Sequence, residues 1–233
     1  MGIKSVESIA QEANALHSLG NSKYRVAPKL IHHDTNLGWS LQEAINGPSV
    51  AMRLTKSHYH FLGKLQKEFS FKTITEFAAS LLNRMNQLSS LPLDERLILG
   101  QALQMIHEDT PVTTGWVHGD FAPWNLKWSG DNELVAVDWE FAETHAPIGM
   151  DIIHYLFRIN YMTRSGSLSA KAFESRVIAG MKKFKTGFYP VHEEYLKQFV
   201  RYYLVWYQVV LEEHGIVDST RLNYYRITRE LFK

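Results

Sequence analysis

The chain has 233 residues, 45% hydrophobic and 21% charged, which is ordinary soluble usage and enough length for one large domain or two small lobes. Its 25 Lys and Arg against 24 Asp and Glu leave a net charge of +1, so no whole-molecule field draws it to nucleic acid or to an anionic membrane. The absence of cysteine excludes disulfides, thiolate metal sites and a Cys nucleophile, and suits a reducing compartment.

No apolar run reaches the length of a spanning helix. The opening MGIKSVESIAQEAN has neither the apolar core of a signal peptide nor the Ser or Thr at position 6 that myristoylation requires. The expectation is a soluble, cytoplasmic protein. Val6, Ile9, Ala13, Leu16 and Leu19 are spaced for a helix over residues 5–19, with Gly20 placed to end it. Residues 30–34 and 39–45 read as two short strands around the turn signal Asn36-Leu37-Gly38, and Gly47-Pro48 breaks the pattern. After residue 50 the reading is helical. Ile74, Phe77, Ala78, Leu81, Leu82 and Met85 make one apolar stripe, and Leu97, Leu99, Leu103 and Ile106 support a second helix over 93–107. Strands at 126–128 and 134–137 flank the turn Ser129-Gly130-Asp131-Asn132, as a hairpin requires. Helices over 148–162, 170–183, 192–213 and 219–231 complete the chain. The expected class is α+β: a small N-terminal lobe of helix and hairpin over 1–47, and a larger, mostly helical lobe over 48–233 carrying one embedded hairpin.

Two polar clusters flank that hairpin. The loop entering it reads Trp116-Val117-His118-Gly119-Asp120-Phe121-Ala122-Pro123-Trp124-Asn125-Leu126, and its exit reads Val137-Asp138-Trp139-Glu140. A hairpin returns the chain to the end it left, so Asp120, Asn125, Asp138 and Glu140 can converge on one small volume. Crowded carboxylates repel unless a cation neutralises them. An all-oxygen set suits a hard ion, and Mg²⁺ takes one or two carboxylates together with phosphate oxygens. Phosphoryl transfer needs such parts: an Asp to orient or deprotonate the acceptor hydroxyl, and an Asn and an Asp on the metal. The five-residue step from Asp120 to Asn125 is the spacing of the protein-kinase catalytic loop.

On these residues the chain resembles the aminoglycoside phosphotransferase and choline kinase-like family. Its members share the protein-kinase-like fold and carry a loop H-G-D-x-x-x-x-N followed by I-D-W-E or a close variant; here the phrases are HGDFAPWNLKW and LVAVDWEFA. The match is close over 118–140 and looser over 4–160, where Asp151 in Gly149-Met150-Asp151-Ile152 resembles a further structural Asp. The resemblance implies Asp120 as catalytic base, Asn125 and Asp138 as Mg²⁺ ligands, and His118 as the loop histidine that holds the loop's shape by hydrogen bonds. Glu140 stands either beside the metal or on it. Trp124 and Trp139 read as packing.

The resemblance also implies ATP or GTP as co-substrate. Gln42-Glu43-Ala44-Ile45 resembles the hinge between the lobes, near 43–47, where the backbone of Glu43, Ala44 and Ile45 would meet the adenine edge; the alternative is an ordinary strand end. Lys4 and Glu12 resemble the phosphate-binding lysine and its helix glutamate, the alternative for Lys4 being a solvated terminal lysine. Only three residues precede Lys4, and no G-x-G-x-x-G occurs, so a reduced N-terminal lobe is expected. The expected partners are a nucleotide and a small-molecule acceptor with a hydroxyl, such as an aminoglycoside, an amino alcohol or a sugar. Aromatics Tyr202, Tyr203, Trp206 and Tyr207 with Glu212 and Glu213 suit either a helical core or a cationic amine. Glu140, Glu143 and Asp151 could add negative charge at a cleft mouth. Three functions stay open: a Mg-dependent small-molecule kinase, a pseudokinase or truncated kinase-like binding module, and, least favoured for want of multiple His ligands, a metal-dependent hydrolase. Nucleic-acid recognition has no basic face or zinc pattern behind it.

Overall fold

Helical spacing of Ala13, Leu16 and Leu19 buries one face of α1 (Val6–Gly20), which packs on the antiparallel pair β1 (Leu30–Asp34) and β2 (Trp39–Gln42). This computed structural model describes residues 6–20, 22–107, 109, 111–164, 169–183, 193–216 and 219–232; the predicted positions Lys4 and Ser5 lie outside them, as does His192. The second strand is shorter than expected, ending at Gln42 rather than at residue 45. After α2 (Lys56–Lys64) come β3 (Gln66–Thr73), α3 (Ile74–Gln87), α4 (Leu93–Gln104), β4 (Pro111–Val117), β5 (Leu126–Trp128), β6 (Leu134–Ala136) and β7 (Glu143–Pro147). The chain ends in α5 (Met150–Arg164), α6 (Ala170–Lys183), α7 (Glu193–Glu213) and α8 (Ser219–Leu231).

Ten elements predicted with bounds match these spans to within about three residues; three strands, β3, β4 and β7, were not expected. They form one sheet in the order β3-β4-β7, with Thr114 opposite Pro147 and Val117 opposite Glu143. The predicted hairpin is present as antiparallel β5–β6, with Leu126 opposite Ala136.

The chain divides into two compact units, each of two segments: residues 1–68 with 114–159, and 69–113 with 160–233. In the first, Ala136 N–H donates to Val26 O (3.0 Å) and Trp128 N–H to Pro48 O (3.1 Å), so β5–β6 is pinned both to the segment before β1 and to the segment after β2. Gly47 lies so close to this hairpin that a Cβ would stand 1.6 Å from Trp128 O, which only glycine can satisfy. Phe121 is fully buried among Phe61 (5.5 Å between ring centroids), Tyr155 (5.6 Å) and His58 (6.3 Å). His58 is itself held in the first turn of α2, where Thr55 N–H donates to its Nδ1 at 3.1 Å.

The second unit is a helical assembly around α7, which α3, α4, α6 and α8 contact. Tyr202, Tyr203, Trp206 and Tyr207 are all buried there, so the core reading of these aromatics holds. Tyr203 and Tyr224 share a hydroxyl hydrogen bond of 2.8 Å, and Gln208 Nε2 donates to Thr228 Oγ1 at 3.0 Å. Glu212 is paired with Arg221 and Glu213 with Arg84, so these carboxylates serve helix packing. At the start of α3, Thr73 and Glu76 exchange capping hydrogen bonds that satisfy N–H groups the helix leaves open.

Candidate active site

The loop between β4 and β5 begins with a turn that glycine alone permits. Gly119 has φ +83°, and a Cβ there would stand 2.3 Å from Phe141 O. Its N–H and that of His118 both point at one carboxylate: His118 N–H donates to Asp151 Oδ2 (2.9 Å) and Gly119 N–H to Asp151 Oδ1 (3.1 Å). Asp151 sits in the first turn of α5 and is buried. It is therefore the loop's backbone anchor and supplies no charge to a cleft mouth, a correction to that expectation. Burial pushes its carboxyl up to about 7 against the pull of the two N–H donors, and the nearby Asp120 charge adds to the rise.

His118 is fully buried and ties the loop to the far strand. Asp120 N–H donates to its Nδ1 (3.2 Å), which leaves Nε2–H to donate to Val137 O (3.0 Å). Burial lowers the His118 pKa to about 4 against the opposing pull of Asp120, so the imidazole is neutral in this tautomer at pH 7. Its ring also packs at 4.5 Å on Trp139, which is buried and donates its indole N–H to Ala136 O (2.8 Å). Trp139 is thus packing, as expected. His118 contacts the chain and shapes the loop.

Asp120 occupies the centre. Its Oδ2 accepts from Asn125 Nδ2 (2.8 Å), and the same amide donates to Asp120 O (2.9 Å). Its Oδ1 accepts from His154 Nε2 (2.8 Å), a fully buried residue of α5. Burial alone would raise the Asp120 carboxyl, but the hydrogen bond from His154 and the charge of Arg158 beyond hold it below the usual carboxylate range. His154 is lowered by its own burial against the attraction of Asp120, and the direction that stands is a neutral imidazole donating Nε2–H to an ionised Asp120.

Pro123–Asn125 form one 3-10 turn, closed by Asn125 N–H to Ala122 O (3.0 Å). Asn125 O then accepts from Val137 N–H (2.9 Å), so the start of β5 and the exit of β6 are clamped side by side. Asp138 follows with φ +68°, a left-handed turn that takes the chain out of the strand direction. The fold thus brings together His118, Asp120 and Asn125, and places Asp138 one residue past the Val137 clamp. Glu140 is half-buried two residues further on. Asn125 Nδ2 is committed to Asp120, which leaves Oδ1 as the amide atom suited to a cation. Among the described residues no three His, Cys, Asp or Glu side chains gather as a metal site.

On the predicted nucleotide side, Lys4 lies outside the described residues. Glu12 is buried on α1. Glu43 N–H donates to Lys29 O (2.9 Å), and its side chain meets Arg25 Nη2 at 2.5 Å. Among the described residues no backbone hydrogen bond engages Ala44 or Ile45. Sequence reasoning missed His154 and Arg158; the signal was their step from Asp151, three and seven residues on, which puts all three on one helical face. Arg158 lies with its guanidinium 4.7 Å from the ring centroid of Trp124 in the loop.

Among solved structures, the choline kinase LicA from Streptococcus pneumoniae superposes with a TM-score of 0.56 at 14% identity, over 99% of this chain and 81% of that one. An aminoglycoside phosphotransferase from Alicyclobacillus acidocaldarius subsp. acidocaldarius DSM 446 gives 0.45 at 16% identity, over 98% and 82%. No curated protein sequence matches significantly. The likeness to the choline kinase shows the protein-kinase-like fold. The family assignment comes from sequence: the model of the phosphotransferase enzyme family matches residues 3–184. With most of its length covered and the H-G-D-x-x-x-x-N loop folded around a single carboxylate, this chain belongs to the phosphotransferase enzyme family.

Proposed function

We propose that the chain transfers the γ-phosphate of ATP or GTP to a hydroxyl of a small acceptor, with Asp120 as catalytic base and Asn125 and Asp138 as ligands to Mg²⁺. The observation that carries this reading is the Asp120 carboxylate, which is fixed on both oxygens by Asn125 and His154. Each oxygen accepts one hydrogen bond in the chain and keeps a lone pair for an acceptor O–H. The hydroxyl oxygen forms the new bond to the γ-phosphorus, the bond from phosphorus to the β–γ bridging oxygen breaks, and the hydroxyl proton passes to Asp120. A carboxyl held below its usual range is a weak base. Asp120 therefore orients the hydroxyl first and takes its proton late, as a loose phosphoryl-transfer transition state allows. When bound, Mg²⁺ neutralises charge on the phosphates; Asn125 Oδ1 and Asp138 would hold it, with Glu140 near.

In this reading residues 1–47 are the nucleotide-side lobe and 48–233 the larger lobe. The unengaged backbone of Ala44 and Ile45, beside a Glu43 tied by Arg25, suits an adenine edge; Lys4 and Glu12 complete the nucleotide side, and the protein works in the cytoplasm. Choline is the first acceptor to screen, because the superposed LicA is a choline kinase, followed by aminoglycosides, other amino alcohols and sugars. The test is Asp120→Ala. Removal of a base of this kind should lower kcat at least ~10²-fold while Mg-ATP binding, read by calorimetry, stays close to wild type. Unchanged turnover in that variant would refute the assignment. A wild-type chain that neither binds Mg-ATP nor transfers phosphate would make it a binding module.

A further inference from the structure

We propose that His154 is a positioning residue of the transfer reaction: its Nε2–H locks the rotamer of the Asp120 carboxylate from within α5. The inference rests on the phosphotransferase reading above and adds a residue that the loop motif does not contain.

Asp120 has two side-chain partners, and they are not equivalent. Asn125 holds Oδ2 and the Asp120 carbonyl through one amide nitrogen, but its oxygen is the atom suited to the metal. Each turnover that loads and releases a metal–nucleotide complex therefore disturbs that arm. His154 is not among the residues assigned to the metal. It is fully buried, lies in a helix, and reaches Oδ1 at 2.8 Å. A buried ring on a helix has few rotamers open to it, so it fixes the carboxylate plane even while Asn125 moves.

The helix face that carries His154 grips the loop at three successive places. Asp151 accepts the N–H groups of His118 and Gly119. His154, three residues on, takes the carboxylate of Asp120. Arg158, a further turn on, lies over the Trp124 ring. Backbone, reacting side chain and the residue before Asn125 are thus registered against one rigid element, as a precise site requires. The phenyl ring of Phe121 fixes the same loop from the other direction, in a cluster that includes Tyr155 of α5. The Asp120 side chain itself is held by Asn125 from the loop and by His154 from the helix, and His154 is the arm anchored outside the loop.

The measurement combines kinetics with a signal that does not need turnover. In His154→Leu, kcat should fall about 10²-fold, the loss expected when a reacting group drifts by about 1 Å, with KM for Mg-ATP and for the acceptor nearly unchanged. His154→Gln keeps an amide N–H where Nε2–H stands and should recover most of that loss, which a purely packing role would not allow. Equal kcat in wild type, Leu and Gln variants would overturn the proposal. So would equal losses in Leu and Gln variants that both retain wild-type circular dichroism and melting temperature. Independently, ¹⁵N NMR of the wild-type imidazole should report a protonated Nε2 whose proton resonance moves in Asp120→Ala. A bare Nε2, or a resonance indifferent to Asp120→Ala, would show that the contact does not form. If the wild-type chain transfers phosphate to no acceptor and does not hydrolyse Mg-ATP, the reaction reading fails and the positioning role goes with it, whereas the NMR result still decides the contact.

Discussion

At the scale of single residues, the site depends on a carboxylate that the fold keeps in unfavourable surroundings. Asp151 is 3% exposed, and its carboxyl is pushed up to about 7. A folded-state value above the unfolded one means that the protonated form is favoured by folding. Its contribution to stability is therefore complete below about pH 4 and declines as pH rises towards 7. The span of the shift, from 3.8 to about 7, corresponds to something on the order of 4 kcal/mol. Asp151→Asn cannot ionise, so it should be most destabilised relative to wild type near pH 4 and approach wild type near pH 7, read as urea midpoints across that range. Parallel curves would mean that Asp151 keeps one charge state throughout. The residue itself was legible in the sequence, as were Asp120, Asn125 and Asp138, because their spacing along a loop and hairpin is short. His154 was not. It sits in the run Ile152-Ile153-His154-Tyr155-Leu156, where a lone histidine reads as core, and only the return of α5 to a loop 34 residues earlier in the chain gives it a partner.

At the scale of elements, helices were legible because burial and the 3.6-residue period coincide. α6 and α8 match their predicted bounds, and α3 buries Ile74, Ala78, Leu81 and Met85 of its predicted stripe. Strand β7 was not legible: its sequence Glu-Thr-His-Ala-Pro has exposed and half-buried polar residues with no alternation, and pairing with β4 alone makes it a strand. Elements are also joined through Glu212, which the sequence offered equally to a cationic amine. Arg221 of α8, with a side chain 5% exposed, reaches Glu95 of α4 at 2.5 Å and Glu212 of α7 at 3.1 Å. Burial raises the Glu95 pKa while Arg221 lowers it. Such a triad contributes little net stability as a whole, yet removing its cation strands two carboxylates. Arg221→Ala should destabilise the protein by about 3–5 kcal/mol in chemical denaturation. The triple replacement of Arg221, Glu95 and Glu212 by apolar residues of similar volume should cost much less. A single variant as mild as the triple one would show that water reaches the carboxylates.

At the scale of the whole molecule, the predicted α+β class and protein-kinase-like fold agree with the structural likeness to the choline kinase. Assembly of each compact unit from two distant segments had no local signal, because none of the three boundaries carries a linker-like composition. All described residues proposed here for chemistry and nucleotide binding lie in residues 1–68 and 114–159, the first unit. A ligand that binds only the folded form stabilises what it binds by about 2.7 kcal/mol at a hundredfold excess over Kd. If the units open separately, that stabilisation reaches only the amides of the first. Hydrogen exchange with and without Mg-ATP should then show slower exchange in β5, β6 and the first turns of α5, approaching a hundredfold for amides that exchange through opening of the whole unit. Exchange in α3, α4, α6 and α8 should be unchanged. Equal slowing in both sets would mean that the chain opens as one cooperative block, so that nucleotide bound near Asp120 is felt throughout the α7 assembly. No slowing anywhere, at millimolar Mg-ATP, would leave the loop without its co-substrate and count against the kinase reading.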